Sequence, residues 1–394
     1  MRDLRPLDVL DKYHENKIDR ATAINHFQLF IESSDIEVLR LDALDFLGEM
    51  TPLPKELYPF LEDLLVSDSI EEMRAIAARL IINNFLERGK TAIEHVCQNP
   101  CTFILVKYIL ETLKAVDLDF YTKLRALFIN KYARSYEVFP NEAEFFLDFD
   151  FEKYKQYGDF ELDPNMKKCS CKSVFRLKSY SGSGSDIFYS VHNFHVTGLD
   201  FSIWGINTLP SSILKLKRLK YLNLSSNNIT ELPDLLANLP KLRELYLKEN
   251  KLNLIPKWIY TLAKKRYFQR YQREGVNQPD AAVLGVFEIL TAPLIKYTNI
   301  NEEVDGWAPH GYTIDDIGHV NALYLSYEVK MTSLPEEIVK LTYLEELYLS
   351  GLKIENLSVR VKKFLANLKG FESYNAHEKN LSLINLRKYK YLKL

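Results

Sequence analysis

The sequence predicts two successive repeat arrays: a superhelix of paired α-helices, then a solenoid of parallel β-strands interrupted by a partly helical insert. Three observations predict it. Residues 34–50 recur over 67–84 with apolar residues at helical spacing. A Leu-x-Leu core recurs with a period of 23 residues from Val196 onward. The same core returns at Val320, after a segment that breaks the period.

In the first array, Ser34-Asp35 matches Ser67-Asp68, Leu39-Arg40 matches Met73-Arg74, Ala43 matches Ala77, and Leu47 matches Ile81. A weaker third copy places Val106-Lys107 under Met73-Arg74 and Leu113 under Leu80. Each copy is preceded by a further amphipathic helix: Ala21–Ile31, Glu56–Val66 and Thr91–Cys97. Asp35 and Asp68 are expected to cap the second helices, and the small Ala43 and Ala77 to let helices approach closely. The pattern of Asp, then an apolar-Arg pair, then Ala resembles HEAT repeats. That resemblance implies stacked helix pairs sharing one continuous core. Residues 1–135 are therefore expected to be HEAT-like. Residues 136–166, acidic and aromatic, are expected to be a connector.

The second array aligns Val196, Leu219 and Leu242 at position 1. Positions 4 and 6 are then Leu199/Phe201, Leu222/Leu224 and Leu245/Leu247, and position 9 is Trp204, Asn227 and Asn250. Leu209-Pro210, Leu232-Pro233 and Ile255-Pro256 follow. These residues resemble leucine-rich repeats of the short Leu-Pro type. The resemblance agrees with the physics. Alternate residues of a strand face the core, and a buried Asn amide can bond backbone groups that an apolar side chain would orphan. Asn227 and Asn250 are the expected ladder. A second block runs through Val320, Leu323, Leu325, Leu334-Pro335, Leu344, Leu347 and Leu349. It departs from the family pattern, with Glu328 and Leu352 at the Asn position. Both blocks open on His-Val, at His195 and His319.

The expected boundaries are an N-terminal cap hairpin and first block over 167–262, an insert with a helix over 263–317, and a second block with its cap over 318–394. The hairpin pairs SVFRLKSY with DIFYSVHNF across SGSGS. The insert helix, Asp280–Thr291, is introduced by Pro279.

Lys and Arg number 51 against 53 Asp and Glu, so neither nucleic acid nor an acidic membrane surface is an expected partner. No stretch approaches the roughly 20 apolar residues of a membrane span. The opening MRDLRPLDVLDKYHEN has no apolar signal core. Four cysteines make no dense disulfide framework, so a cytoplasmic protein with reduced thiols is expected. Walker loops, HExxH and GxSxG are absent. Cys169, Cys171, His192 and His195 fit no common zinc spacing, and no metal or cofactor is expected. Asp148-Phe-Asp150 resembles a glycosyltransferase metal pair but lacks a nucleotide-binding unit; a solvated acidic linker is expected there. Lys264, Lys265, Arg266, Arg270 and Arg273 are expected on the solvated face of a helix whose aromatics, Tyr267, Phe268 and Tyr271, pack inward.

Positions 3, 5 and 7 of each strand should face out on the concave side. Position 5 brings Tyr246, Tyr324 and Tyr348 into one column, with Tyr221 beside it at position 3 and Glu244 and Glu346 flanking it. Tyrosine offers a large amphipathic contact area at low entropic cost. The expected function is a non-enzymatic scaffold or adaptor binding a protein on this face. The alternative is a regulatory or substrate-recruiting subunit of an enzyme complex. An insert that loops out would leave the column continuous; an insert helix wedged between the blocks would split it.

Overall fold

The computed structural model describes residues 5–98, 103–157, 174–178, 186–291, 293–296, 310–325, 333–350 and 357–374. The chain divides into two compact units, Met1–Lys131 with Tyr157–Leu162, and Tyr132–Gln156 with Asp163–Leu394.

The first unit is helical: α1 (Pro6–His14), α2 (Arg20–Ser33), α3 (Glu37–Glu49), α4 (Tyr58–Ser67), α5 (Glu71–Gln98), α6 (Phe103–Val116) and most of α7 (Leu118–Tyr136). α2 packs on α3 and α4 on α5, with Ala43 and Ala77 fully buried. The repeated arginines do the same work in both copies. The last carbonyls of a helix lack intrahelical donors. Arg40 Nε donates to Ile31 O at 2.9 Å, and Arg74 Nε to Leu65 O at 2.9 Å, closing the end of the preceding helix. The Asp caps differ from expectation. Asp68 Oδ1 accepts from Ile70 N at 2.8 Å. In the first copy that place is taken by Ser34, whose Oγ accepts from Ile36 N at 3.1 Å. α5 breaks at Phe85 (φ −141°, ψ 29°), so the expected Thr91–Cys97 helix is its second arm.

The second unit contains α8 (Pro140–Tyr157) and two separate five-stranded sheets. In the first sheet β1 (Val174–Lys178), β2 (Asp186–His192) and β3 (His195–Asp200) run antiparallel, and β3, β4 (Tyr221–Asn223) and β5 (Glu244–Tyr246) run parallel. Next come α9 (Lys257–Arg273) and α10 (Gln278–Leu290). The second sheet holds β6 (Ile295–Lys296), β7 (Gly311–Ile314), β8 (Val320–Leu325), β9 (Glu346–Ser350) and β10 (Gly370–Tyr374), with α11 (Val359–Ala366) before β10. β7 pairs antiparallel with β8, while β8, β9 and β10 are parallel.

The two halves of this unit follow one plan: the end of one helix, a second helix, an antiparallel strand, a His-Val strand, then parallel strands. Val138-x-x-x-Glu142 in the first half corresponds to Val276-x-x-x-Asp280 in the second. Glu142 Oε2 accepts from Val196 N at 2.7 Å, and Asp280 Oδ2 from Val320 N at 2.8 Å. Glu142 also holds His195 Nδ1 at 2.7 Å, and Asp280 lies 3.6 Å from His319 Nδ1. Phe194 O accepts from Phe139 N (3.0 Å) as Gly318 O does from Asn277 N (2.9 Å). A carboxylate in the first turn of each second helix thus supplies the acceptor that the first parallel strand needs at its start. The insert expected over 263–317 builds the second cap.

α8 lies within the segment expected as a connector. Its Phe145 and Phe149 pack on Phe201, and Phe149 also on Trp204. Asp150, expected in a solvated linker, is buried, because α8 turns that face inward.

Candidate functional site

The strand face of the first block is held by the Asn ladder behind it. Asn227 Oδ1 accepts from Trp204 N (3.1 Å) and Ile206 N (2.9 Å), and its Nδ2 donates to Phe201 O and Leu224 O, both at 2.8 Å. Asn250 repeats this one turn on, accepting from Ile229 N (3.1 Å) and donating to Leu224 O (2.7 Å) and Leu247 O (3.0 Å). Just before each, Ser226 and Glu249 take left-handed backbone (φ 56° and 59°), which turns the amide inward. Glu328 and Leu352 lie outside the described residues.

With the turns fixed, the β3–β4–β5 register sets Gly198 beside Tyr221 and Tyr221 beside Glu244. A Cβ on Gly198 would come within 2.6 Å of Ser190 Oγ and 3.6 Å of Tyr221 Cβ, so the glycine leaves the space that hairpin and ring share. Tyr221 and Tyr246 meet with ring centroids 5.4 Å apart. Both are half-buried. Asp200 is held from several sides: its Oδ2 accepts from Asn223 Nδ2 (3.1 Å) and Tyr221 Oη (3.4 Å), and its Oδ1 from Ser202. Burial, and then the Asp200 charge, push the Tyr221 hydroxyl up to about 12. Burial and Glu244 raise Tyr246 as well. Both rings therefore present protonated hydroxyls at neutral pH. Glu244 is reached by Tyr246 Oη at 3.4 Å and by Arg266 of α9 at 3.0 Å.

The tyrosine column is split. Tyr221 and Tyr246 lie on the first sheet, Tyr324 and Tyr348 on the second. α10 stands at the break: Ile289 O accepts from Leu247 N at 2.8 Å, just beyond β5. In the second sheet Tyr324 and Tyr348 stack with centroids 4.7 Å apart, and Tyr348 Oη donates to Glu346 at 3.1 Å. Tyr324, expected on the exposed face, is only 5% exposed; Tyr348 and Glu346 are half-buried. The split makes α9 a wall of the first patch. Lys264, Lys265 and Arg266 are exposed on it while Tyr267 and Tyr271 are buried.

Sequence reasoning gave Arg266 only a solvated face, where it reaches Glu244, and passed over the part played by Asp200 and by the two carboxylates that hold the cap helices. The shared His-Val entry was the available signal for the last pair. His195 is engaged by Glu142, and Cys169 and Cys171 lie outside the described residues. Among the described residues no group of three or more His, Cys, Asp or Glu is gathered as for a metal ion, and no helix is long and apolar enough to cross a membrane.

Residues 199–252 match the leucine rich repeat family model, so the chain carries leucine-rich repeats. A solved leucine-rich repeat protein of Leptospira interrogans is similar at 21% identity over 46% of this chain, with a TM-score of 0.21. The match covers 49% of that protein, so the chain spans about half its length. No curated protein matches the chain.

Proposed function

We propose that this chain is a cytoplasmic, non-catalytic scaffold or adaptor, and that a protein partner docks on the concave face of its first leucine-rich block. The observation that carries this reading is the Tyr221–Tyr246 pair. These rings sit side by side where strand chemistry asks for no aromatic residue, and their hydroxyls are aimed at Asp200 and Glu244. A half-buried aromatic pair framed by fixed polar groups has the make-up of an interface hot spot. Arg266 on the α9 wall adds a charged rim, which sets orientation more than affinity.

Tyr348 and Glu346 form a second, smaller patch, with Tyr324 as its buried floor. The helix pairs of the first unit, read as HEAT-like, offer a further surface of the same kind. The test is affinity capture with crosslinking to identify the partner, followed by mapping of crosslinked positions. Crosslinks concentrated on Lys248, Lys264 and Lys265, which flank the patch, support the reading. Crosslinks confined to residues 1–131 contradict it.

A further inference from the structure

The repeated plan of the second unit gives each cap an internal control, and the two differ at one buried carboxylate. In the first cap, Asp150 on α8 is buried and accepts the hydroxyl of Tyr132, on α7, at 2.8 Å. In the second, Glu288 on α10 accepts the hydroxyl of Tyr271, on α9, at 2.7 Å. Glu288 also holds Arg270 Nη1 at 2.5 Å, and Arg270 is braced by Glu274 at 3.3 Å. No cation reaches Asp150 among the described residues.

Among the described residues, the polar groups that act on Asp150 are the neutral phenols of Tyr132 and Tyr136. α7 contributes Tyr132 and Tyr136, and β2 contributes Tyr189, which packs against Tyr136 and Phe146. Glu137 acts on Tyr189 from the α7–α8 turn. Tyr136 is stacked on Phe146 at 4.1 Å, and its hydroxyl is buried with no hydrogen-bond partner. A carboxylate charge in such surroundings is strongly disfavoured unless it is paired.

We propose that the first cap is a proton-sensitive clamp: Asp150 carries a proton while α7 and α8 are closed on each other, and losing it loosens α8, whereas the arginine-compensated second cap responds less. Burial pushes the Asp150 carboxyl up to about 7, with only the Tyr132 hydrogen bond opposing. Burial raises Glu288 too, but there Tyr271 and Arg270 both oppose it. The direction follows from linkage. A folded state that keeps a proton which the unfolded chain releases above about pH 4 is favoured most at low pH. The clamp is therefore fully closed below about pH 4, weakens as pH rises, and has lost the contribution once pH passes about 7.

The test is hydrogen exchange of the full chain between pH 5 and 8, corrected for intrinsic rates and read at the amides of 143–152 and 281–290. Wild-type protection over 143–152 should fall with rising pH, by at most about tenfold per unit. It should fall more steeply there than over 281–290. Asp150→Asn, a neutral mimic of the protonated acid, should remove the fall. Tyr132→Phe, which deletes the hydrogen bond favouring the charged form, should carry the fall to higher pH and keeps the test open if the Asn variant does not fold. An Asp150→Asn profile parallel to wild type, equal falls in the two caps, or an unmoved profile in Tyr132→Phe would each overturn the proposal.

Discussion

Asn227 closes hydrogen bonds in two adjacent turns, with Phe201, Trp204 and Ile206 of the preceding turn and with Leu224 of its own. Removing its amide orphans buried backbone groups, so Asn227→Ala should cost about 1–3 kcal/mol. Asn250→Ala should fall in the same range, at its lower end, because it accepts from Ile229 alone. Urea unfolding of the two variants checks both magnitude and order. Leu245 is fully buried at the centre of β5, so Leu245→Asp places an unpaired charge in the core and should lower stability by several kcal/mol. An unchanged melting curve would mean the strand register is shifted. These positions were legible in the sequence because a period of 23 residues repeats three times and each chemical type recurs at one place in it. The partners of Asp150 and Glu142 were not, since a buried acid and a solvated acid read alike until the helix carrying them has a direction.

α8 and α10 show what an element can conceal. α8 reads as alternating aromatic and acidic residues without a helical stripe, because its inward face carries Glu142 and Asp150 as well as Phe145, Phe146 and Phe149. The buried acids disguise the period on which helix prediction rests. α10 is buried at every residue from Asp280 to Leu290, the pattern of a helix covered on all sides rather than of a surface insert. Gly285 marks the tightest point: a Cβ there would come within 2.9 Å of Tyr267, so α9 and α10 meet with no room for a side chain. Gly285→Ala should therefore destabilise by about 1–3 kcal/mol, through overpacking, as measured by thermal unfolding. Val286 is fully buried, while its counterpart Asp148 on α8 is half-buried. Val286→Asp should cost several kcal/mol, and Asp148→Val far less, in parallel denaturant titrations. Equal effects would mean that α10 is not the covered helix of the pair.

At the scale of the whole chain, a helical unit is joined to a unit in which one plan of cap and parallel strands occurs twice. The sequence distinguished the N-terminal helical region from the later strand region and found the strand-bearing segments of both sheets, since their apolar residues recur at different spacings. It left open whether the tyrosine column is continuous, because that depends on where α9 and α10 pack, and no periodicity reports the docking of a long connection. The outcome is two patches, and the functional reading rests on the first. Its most direct test is the affinity of the identified partner for Tyr221→Ala and Tyr246→Ala, each with unfolding behaviour matched to wild type. The account predicts that each substitution weakens binding by at least about 2 kcal/mol, roughly thirtyfold in Kd. Wild-type affinity in both variants would contradict it and remove the partner from the concave face of the first block.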